Sequence, residues 1–325
     1  LVLMGELAEI LRSRRKEKGS LDFDFDEAEI ELDENEIPVD IGISERRSAN
    51  RMIEEFMLAA NQTVAEHFFW MEYPFIYRVH EKPDTEKIMA LKAFLAGFGI
   101  SLSVNPDNIH PKALNDILKK TQGETYENII STVMLRSMKK AFYSTECMGH
   151  FGLSFKYYCH FTSPIRRYPD LCIHRIIKAS LQGNADEQKL KKYRADAAFA
   201  AASSSETERK AQTLEREVEK MKKAQYMEAK IGEIYSGVIS GVTNFGIYVQ
   251  LPDTVEGMIR LDSLKDDFYD YEEGKYRVIG RQSRRIYALG DRVTVKVLSA
   301  SAETRQIDFI LAEDDSFGED EQNLI

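Results

Sequence analysis

Several residue types whose abundance would settle a class at once are scarce in this chain. Three cysteines, Cys147, Cys159 and Cys172, are too few and too oddly numbered for a disulfide scaffold. They show no Cys-x-x-Cys spacing and sit among apolar neighbours, so they read as reduced core residues. Eight prolines and 18 glycines in 325 residues exclude a collagenous or low-complexity chain. No run is long and apolar enough to cross a membrane, and no basic leader precedes an apolar segment with a cleavage site, so a cytoplasmic setting is expected. Positive charge is in deficit: 44 Lys and Arg against 54 Asp and Glu leave a net charge of −10. That balance does not advertise a nucleic-acid partner. Total charge, however, speaks to solubility, whereas binding depends on where the positive groups lie. Acid gathers between Glu17 and Glu36 and in the tail from Glu313, while Lys156 to Lys230 holds more basic than acidic residues. A basic channel inside an acidic shell is compatible with this distribution.

What is present is ordinary for a globular protein, with 43% apolar and 30% charged residues in a length that allows one large core and a smaller one. The first stretch, to Gly19, carries Leu3, Leu7, Ile10 and Leu11 on a helical stripe and ends on a glycine C-cap. The next, from Ser20, alternates acid and apolar residues and predicts two short strands around Phe23, Phe25, Ile30 and Leu32. From Ser44 a long helix is predicted with Ile53, Phe56, Met57, Ala60, Val64 and Phe68 inward and Glu54 and Glu55 solvated. Asp84 is placed to cap a helix burying Ile88, Leu91, Phe94 and Leu95. Helices follow at 112–120 and 126–141, and 188–230, rich in Ala and free of Pro and Gly, forms one or two more. From Gly232 the texture turns to short Val/Ile/Tyr strands with glycines, which predicts a small barrel of the OB type.

The segment Gly149 to Arg175, GHFGLSFKYYCHFTSPIRRYPDLCIHR, organises the rest. Its first half alternates Phe151, Leu153, Phe155, Tyr157 and Cys159, the signature of a half-buried strand. The chain breaks at Thr162-Ser163-Pro164, and Pro169 suits the first turn of a following helix. Arg166 and Arg167 therefore sit on a short strand-to-helix connection, where rigid elements aim side chains. Guanidinium matches phosphate geometry and stays charged, so the pair reads as an anion clamp. On spacing alone it reads equally as one solvated arginine beside another that pairs with Asp170 or a carbonyl. The crowd of His150, Cys159, His160, Cys172 and His174 fits no structural zinc spacing. His160 and His174 are expected to support the arginine loop.

The string HFTSPIRRYPDL followed by HR resembles the signature of the RNB family, the ribonuclease II and ribonuclease R exoribonucleases, nearest the ribonuclease R type. RRSANRMIEEFMLAAN, YRVHEKPD, MLRSMKKAFYS and GVISGVTNFGIYV agree with it in order. The fold this implies is α+β: a mainly helical C-terminal portion of the RNB catalytic domain with a short mixed sheet over 1–230, then an all-β S1 barrel over 231–312. An acidic, unfolded tail is expected over 313–325. The activity implied is processive 3′→5′ hydrolysis of single-stranded RNA to nucleoside 5′-monophosphates, with no membrane partner and no preference for DNA. Within that resemblance Arg166 and Arg167 grip the phosphates beside the scissile bond, with Ser163 and Tyr168 beside them. Phe23 matches a ring that stacks on a terminal base, and Glu208 and Glu215 fall on the closing helix that lines the RNA channel. Phe245, Tyr248 and Arg305 match the barrel's RNA face, while Arg260 occupies a position on it where a histidine is common and Ser301 stands where an aspartate is usual. The family's Mg²⁺ is held by clustered aspartates upstream of Leu1, and nothing here corresponds to them. The chain lacks an initiator methionine, so it is expected to begin inside a larger protein and to be inactive alone. The alternative is a non-catalytic RNA-binding or regulatory protein.

Overall fold

A computed structural model describes residues 1–23, 27–124, 126–183 and 186–312. The expected tail over 313–325 and the strand position Phe25 lie outside the described residues. The described residues divide into two compact units that do not follow chain order: those up to 23 with those within 45–213, and 27–44 with 214–312.

In the first unit, α1 (Val2–Glu17) stops where the glycine predicts: Gly19 takes φ +95°, its N–H donates to Lys16 O at 3.0 Å, and Ser20 N–H reaches Arg15 O at 3.2 Å. The hairpin β1 (Ala28–Leu32) and β2 (Pro38–Ile43) interrupts this unit in sequence and belongs to the second. Phe23 precedes that hairpin and is in no strand. Next come α2 (Ser48–Trp70), β3 (Tyr77–Val79), α3 (Thr85–Ala96), α4 (Pro111–Thr121), α5 (Glu127–Ser137) and β4 (Phe142–Ser144). Helix α6 (Tyr168–Leu181) and the 42-residue α7 (Glu187–Glu228) follow. Helix α3 buries Ile88, Leu91, Phe94 and Leu95 as patterned. Its Asp84 makes no cap hydrogen bond and pairs instead with Lys139 at 2.9 Å.

Helix α2 departs from its pattern. The buried face is Glu55, Leu58, Asn61, Ala65 and Phe68, while Ile53 is exposed. Two polar residues lie inward because distant partners satisfy them: Arg15 holds Glu55, and the chain at 158–161 holds Asn61. Glu55 is thus not solvated, whereas Glu54 pairs with Arg46 near the surface.

Strands β3 and β4 pair antiparallel, with Arg78 opposite Tyr143. The predicted strand over 149–160 is not a regular one. Positive φ at Gly149 and Ser154 turns the backbone, leaving bridges His80↔His150 and His150↔Phe155. Phe151, Phe155, Tyr157 and Cys159 are buried: Tyr157 and Cys159 cluster with Phe68, Phe75, Ile173 and Ala200, and Phe155 with Leu58 and Tyr158.

The second unit holds a closed five-stranded barrel, as predicted. Strands β5 (Ile234–Val242), β6 (Gly246–Gln250) and β7 (Glu256–Arg260) form a meander. A three-stranded excursion, β8 (Tyr269–Glu272), β9 (Arg277–Gly280) and β10 (Ile286–Ala288), precedes β11 (Arg292–Ser301) and β12 (Gln306–Leu311). Parallel pairing of β12 with β7 and antiparallel pairing of β11 with β5 close the barrel. Ile247, Val249, Ile259, Val295 and Phe309 fill it, with Ile41 of the hairpin and Met227 of α7 in the same cluster.

Candidate functional site

The arginine bend is pinned from three sides within the first unit. Asn61, 2% exposed on α2, accepts the Phe161 N–H at 2.9 Å. On α6, His174 Nε2 donates to Phe161 O at 2.9 Å, and its ring stacks on Phe161 at 4.4 Å with planes 10° apart. Asp170, fully buried in the first turn of α6, accepts both the Ser163 N–H at 2.8 Å and Arg167 Nη2 at 2.7 Å on Oδ1. Ser163 O in turn accepts Arg167 N–H at 3.1 Å, closing the turn. Pro169 sits in the first helical turn, where its missing N–H costs nothing.

The two arginines differ. Arg167 is 16% exposed and ion-paired. The side chain of Arg166 is exposed and has no hydrogen bond or ion pair among the described residues. Ile165 and Tyr168 on either side are exposed too.

Beneath the bend lies a second polar chain. Arg78 of β3 stacks its guanidinium over the Tyr143 ring at 4.6 Å and pairs with Glu208 of α7 at 2.6 Å. Tyr143 Oη meets His160 Nδ1 at 2.9 Å, and Ser205 Oγ accepts the Tyr143 N–H. Burial pushes the Tyr143 phenol up to about 12. Burial, then the positive charges of Arg167 and Arg78, pushes the His160 imidazole down to about 2. His160 is therefore a neutral ring near neutral pH, suited to accepting or donating one fixed hydrogen bond and not to carrying charge.

Of the residues singled out in the sequence, Ser163, Arg166, Arg167, Tyr168 and Glu208 fall in this unit, together with Phe23, which is half-buried. Glu215 is an exposed residue of α7 in the second unit. There Phe245, 56% exposed, meets Tyr248 edge to face at 6.4 Å. Arg260 lies 3.6 Å from Asp308 of the parallel-paired β12, and Arg305 pairs with Glu217 of α7 at 3.0 Å. Tyr248, Met258, Arg305 and Asp308 line a groove of about 520 Å³ with the last turns of α7.

A profile of the RNB domain matches residues 1–183. The chain belongs to the RNB family. Residues 228–311 match the S1 RNA binding domain. Among similar proteins, ribonuclease R 1 of Lactococcus lactis is 43% identical over 94% of this RNB chain, and ribonuclease R of Thermotoga maritima is 40% identical over 95%. The chain spans 38% and 44% of their lengths. A solved structure of Mycoplasma genitalium RNase R in complex with ribose methylated single-stranded RNA matches with a TM-score of 0.89 at 28% identity, over 95% of this chain and 49% of that one.

Sequence reading found the RNB bend and the support of His174, which bonds Phe161 O, but not the support of Asn61. Asn61 left a signal, an amide on the apolar face of a helix. Asp170 entered only as one of several partners for an arginine. Arg78 and Tyr143 gave none, because their pairing depends on β3 meeting β4. No three His, Cys, Asp or Glu side chains converge among the described residues, so these residues do not fit a divalent-ion or zinc site.

Proposed function

We propose that these residues are the C-terminal portion of the catalytic domain (1–230) and the S1 domain (231–312) of a processive 3′→5′ exoribonuclease that releases nucleoside 5′-monophosphates from single-stranded RNA. One observation carries the reading: a bend fixed by Asn61, His174 and Asp170 holds out the unpaired guanidinium of Arg166. A preorganised cation beside a phosphate stabilises charge as it develops in displacement, and needs no reorganisation when the reaction occurs. Phe23 stacks a base of the bound strand. Phe245 and Tyr248 give the barrel sequence-tolerant stacking faces, with Arg260 and Arg305 as flanking charge. Ser163, Tyr168 and Glu208 contact RNA from the first unit, and Glu215 contacts it from the second. Magnesium activates water and steadies the leaving oxygen in such hydrolysis. Its ligands lie outside the described residues, and the work of this chain is to bind and orient RNA. The donor set favours a second reading, a non-catalytic RNA-binding protein, if no carboxylate cluster accompanies these residues.

Incubating the full-length protein and Mg²⁺ with single-stranded RNA, 5′-labelled to follow its length and uniformly labelled to follow released nucleotides, separates the readings. The first predicts loss of full-length RNA with few intermediates and release of 5′-monophosphates. An evenly shortening ladder would reject processivity, and binding without hydrolysis would favour the second reading.

A further inference from the structure

The two arginines of the bend do not face the same demands. Arg167 is 16% exposed, its Nη2 is 2.7 Å from a carboxylate oxygen that is itself fully buried, and that same oxygen accepts the Ser163 N–H. Arg167 Nε and Asp170 Oδ2 are both buried without a hydrogen-bond partner among the described residues. To reach a phosphate, Arg167 would leave the Asp170 charge buried with only the Ser163 N–H beside it. Breaking a buried pair from one side is strongly unfavourable, because the remaining charge is uncompensated. Arg166 carries no such tie among the described residues and is exposed.

We infer that partly buried Arg167 and fully buried Asp170 form a positioning pair, and that Arg166 alone presents guanidinium charge to the substrate. Asp170 has three tasks through one carboxylate. It neutralises Arg167, it holds Ser163 N, and through the turn closed by Ser163 O it fixes the direction in which Arg166 leaves the chain. The pair shapes the bend, and the charge it contains is spent internally. The inference rests on the reading that this bend meets an RNA phosphate, and it assigns the contact to one arginine where the adjacent pair read as a two-pronged clamp.

The test uses the full-length protein with a 3′-hydroxyl oligoadenylate, following turnover under saturation and the dissociation constant separately. Asp170→Ala should lower turnover about 100-fold while RNA affinity stays within about threefold, since misplacing a group that acts at the reacting centre costs rate more than binding. That variant leaves a partly buried cation unpaired and can fail to fold, so the deciding protein is the double variant Asp170→Asn, Arg167→Gln. The amide oxygen placed at position 170 can still accept the Ser163 N–H, and the shorter amide at position 167 leaves no charge beside it. It should melt as a folded protein and turn over within about tenfold of the parent, because the bend and Arg166 are both kept. A folded double variant as slow as Arg167→Ala, with Arg166→Ala also slow, would show that Arg167 touches substrate and would overturn the inference alone. Full turnover in Arg166→Ala would instead remove the phosphate reading of the whole bend.

Discussion

At the scale of single residues, burial decides what a charge is worth. Arg15 and Glu55 are 7% and 4% exposed, and Arg15 donates to both Glu55 oxygens, at 2.5 and 3.3 Å, and to Ser20 Oγ. Removing one member leaves the other without compensation, so Glu55→Ala should cost about 3–5 kcal/mol in urea unfolding. Its neighbour Glu54 pairs with Arg46 where both remain substantially exposed, and Glu54→Ala should cost less than about 1 kcal/mol. Equal costs would contradict the burial of Glu55. His160 gives a pH signature. Its folded-state value, about 2, lies far below the roughly 6.5 of an imidazole in an unfolded chain. On acidification the unfolded chain takes the proton first. The stability tied to His160 is complete above about 6.5 and falls by up to about 1.4 kcal/mol for each pH unit below it. His160→Gln should therefore flatten the decline of the unfolding free energy between about pH 7 and 5 relative to the parent. Parallel profiles would mean that this ring is not held neutral.

At the scale of elements, α1 ends at a place where only glycine fits. Gly19 has φ +95°, and a Cβ there would lie 2.5 Å from the Lys112 backbone of α4. Gly123 has a similar φ of +82° with nothing within 4 Å of the same added atom. Gly19→Ala should therefore lower the melting temperature well beyond Gly123→Ala, by the equivalent of about 2 kcal/mol, since the control carries the backbone strain without the collision. Matching shifts would rule out the close approach of α1 to α4. Elements were legible from sequence where the pattern was purely apolar. Helix α3 buries the four residues its spacing names. In α2 the pattern failed because Glu55 and Asn61 occupy the inner face, and periodicity cannot see partners 40 and 100 residues away. Over 149–160 alternation marked Phe151, Phe155, Tyr157 and Cys159 as buried but missed buried Tyr158 and overrated partly buried Leu153, and it did not show that glycine and a positive-φ serine break the ladder. The bend itself was legible because its chemistry is local: hydroxyl, proline and two arginines in six residues. Asp170 and His174 were legible as supports because they lie in the same stretch, whereas Asn61, Arg78 and Tyr143 were not, because they arrive from other elements.

At the scale of the whole molecule, a net charge of −10 coexists with positive groups held at specific places, and many of those are matched by acid: Arg78 by Glu208, Arg167 by Asp170, Arg260 by Asp308, Arg305 by Glu217. Stacking should accordingly carry much of the affinity of the barrel. Phe245→Ala is expected to weaken binding of long single-stranded RNA by about 1–3 kcal/mol and to leave the slope of affinity against salt unchanged, measured by fluorescence anisotropy across ionic strengths. An unaltered dissociation constant would take RNA off that face. The account as a whole stands on one guanidinium held out by a pinned bend. Its most direct test compares single-turnover hydrolysis and equilibrium RNA binding for Arg166→Ala in the full-length protein. A fall in rate of about 10²- to 10³-fold with affinity changed by no more than a few-fold is the predicted result. Equal losses in rate and affinity, or no loss in either, would contradict it.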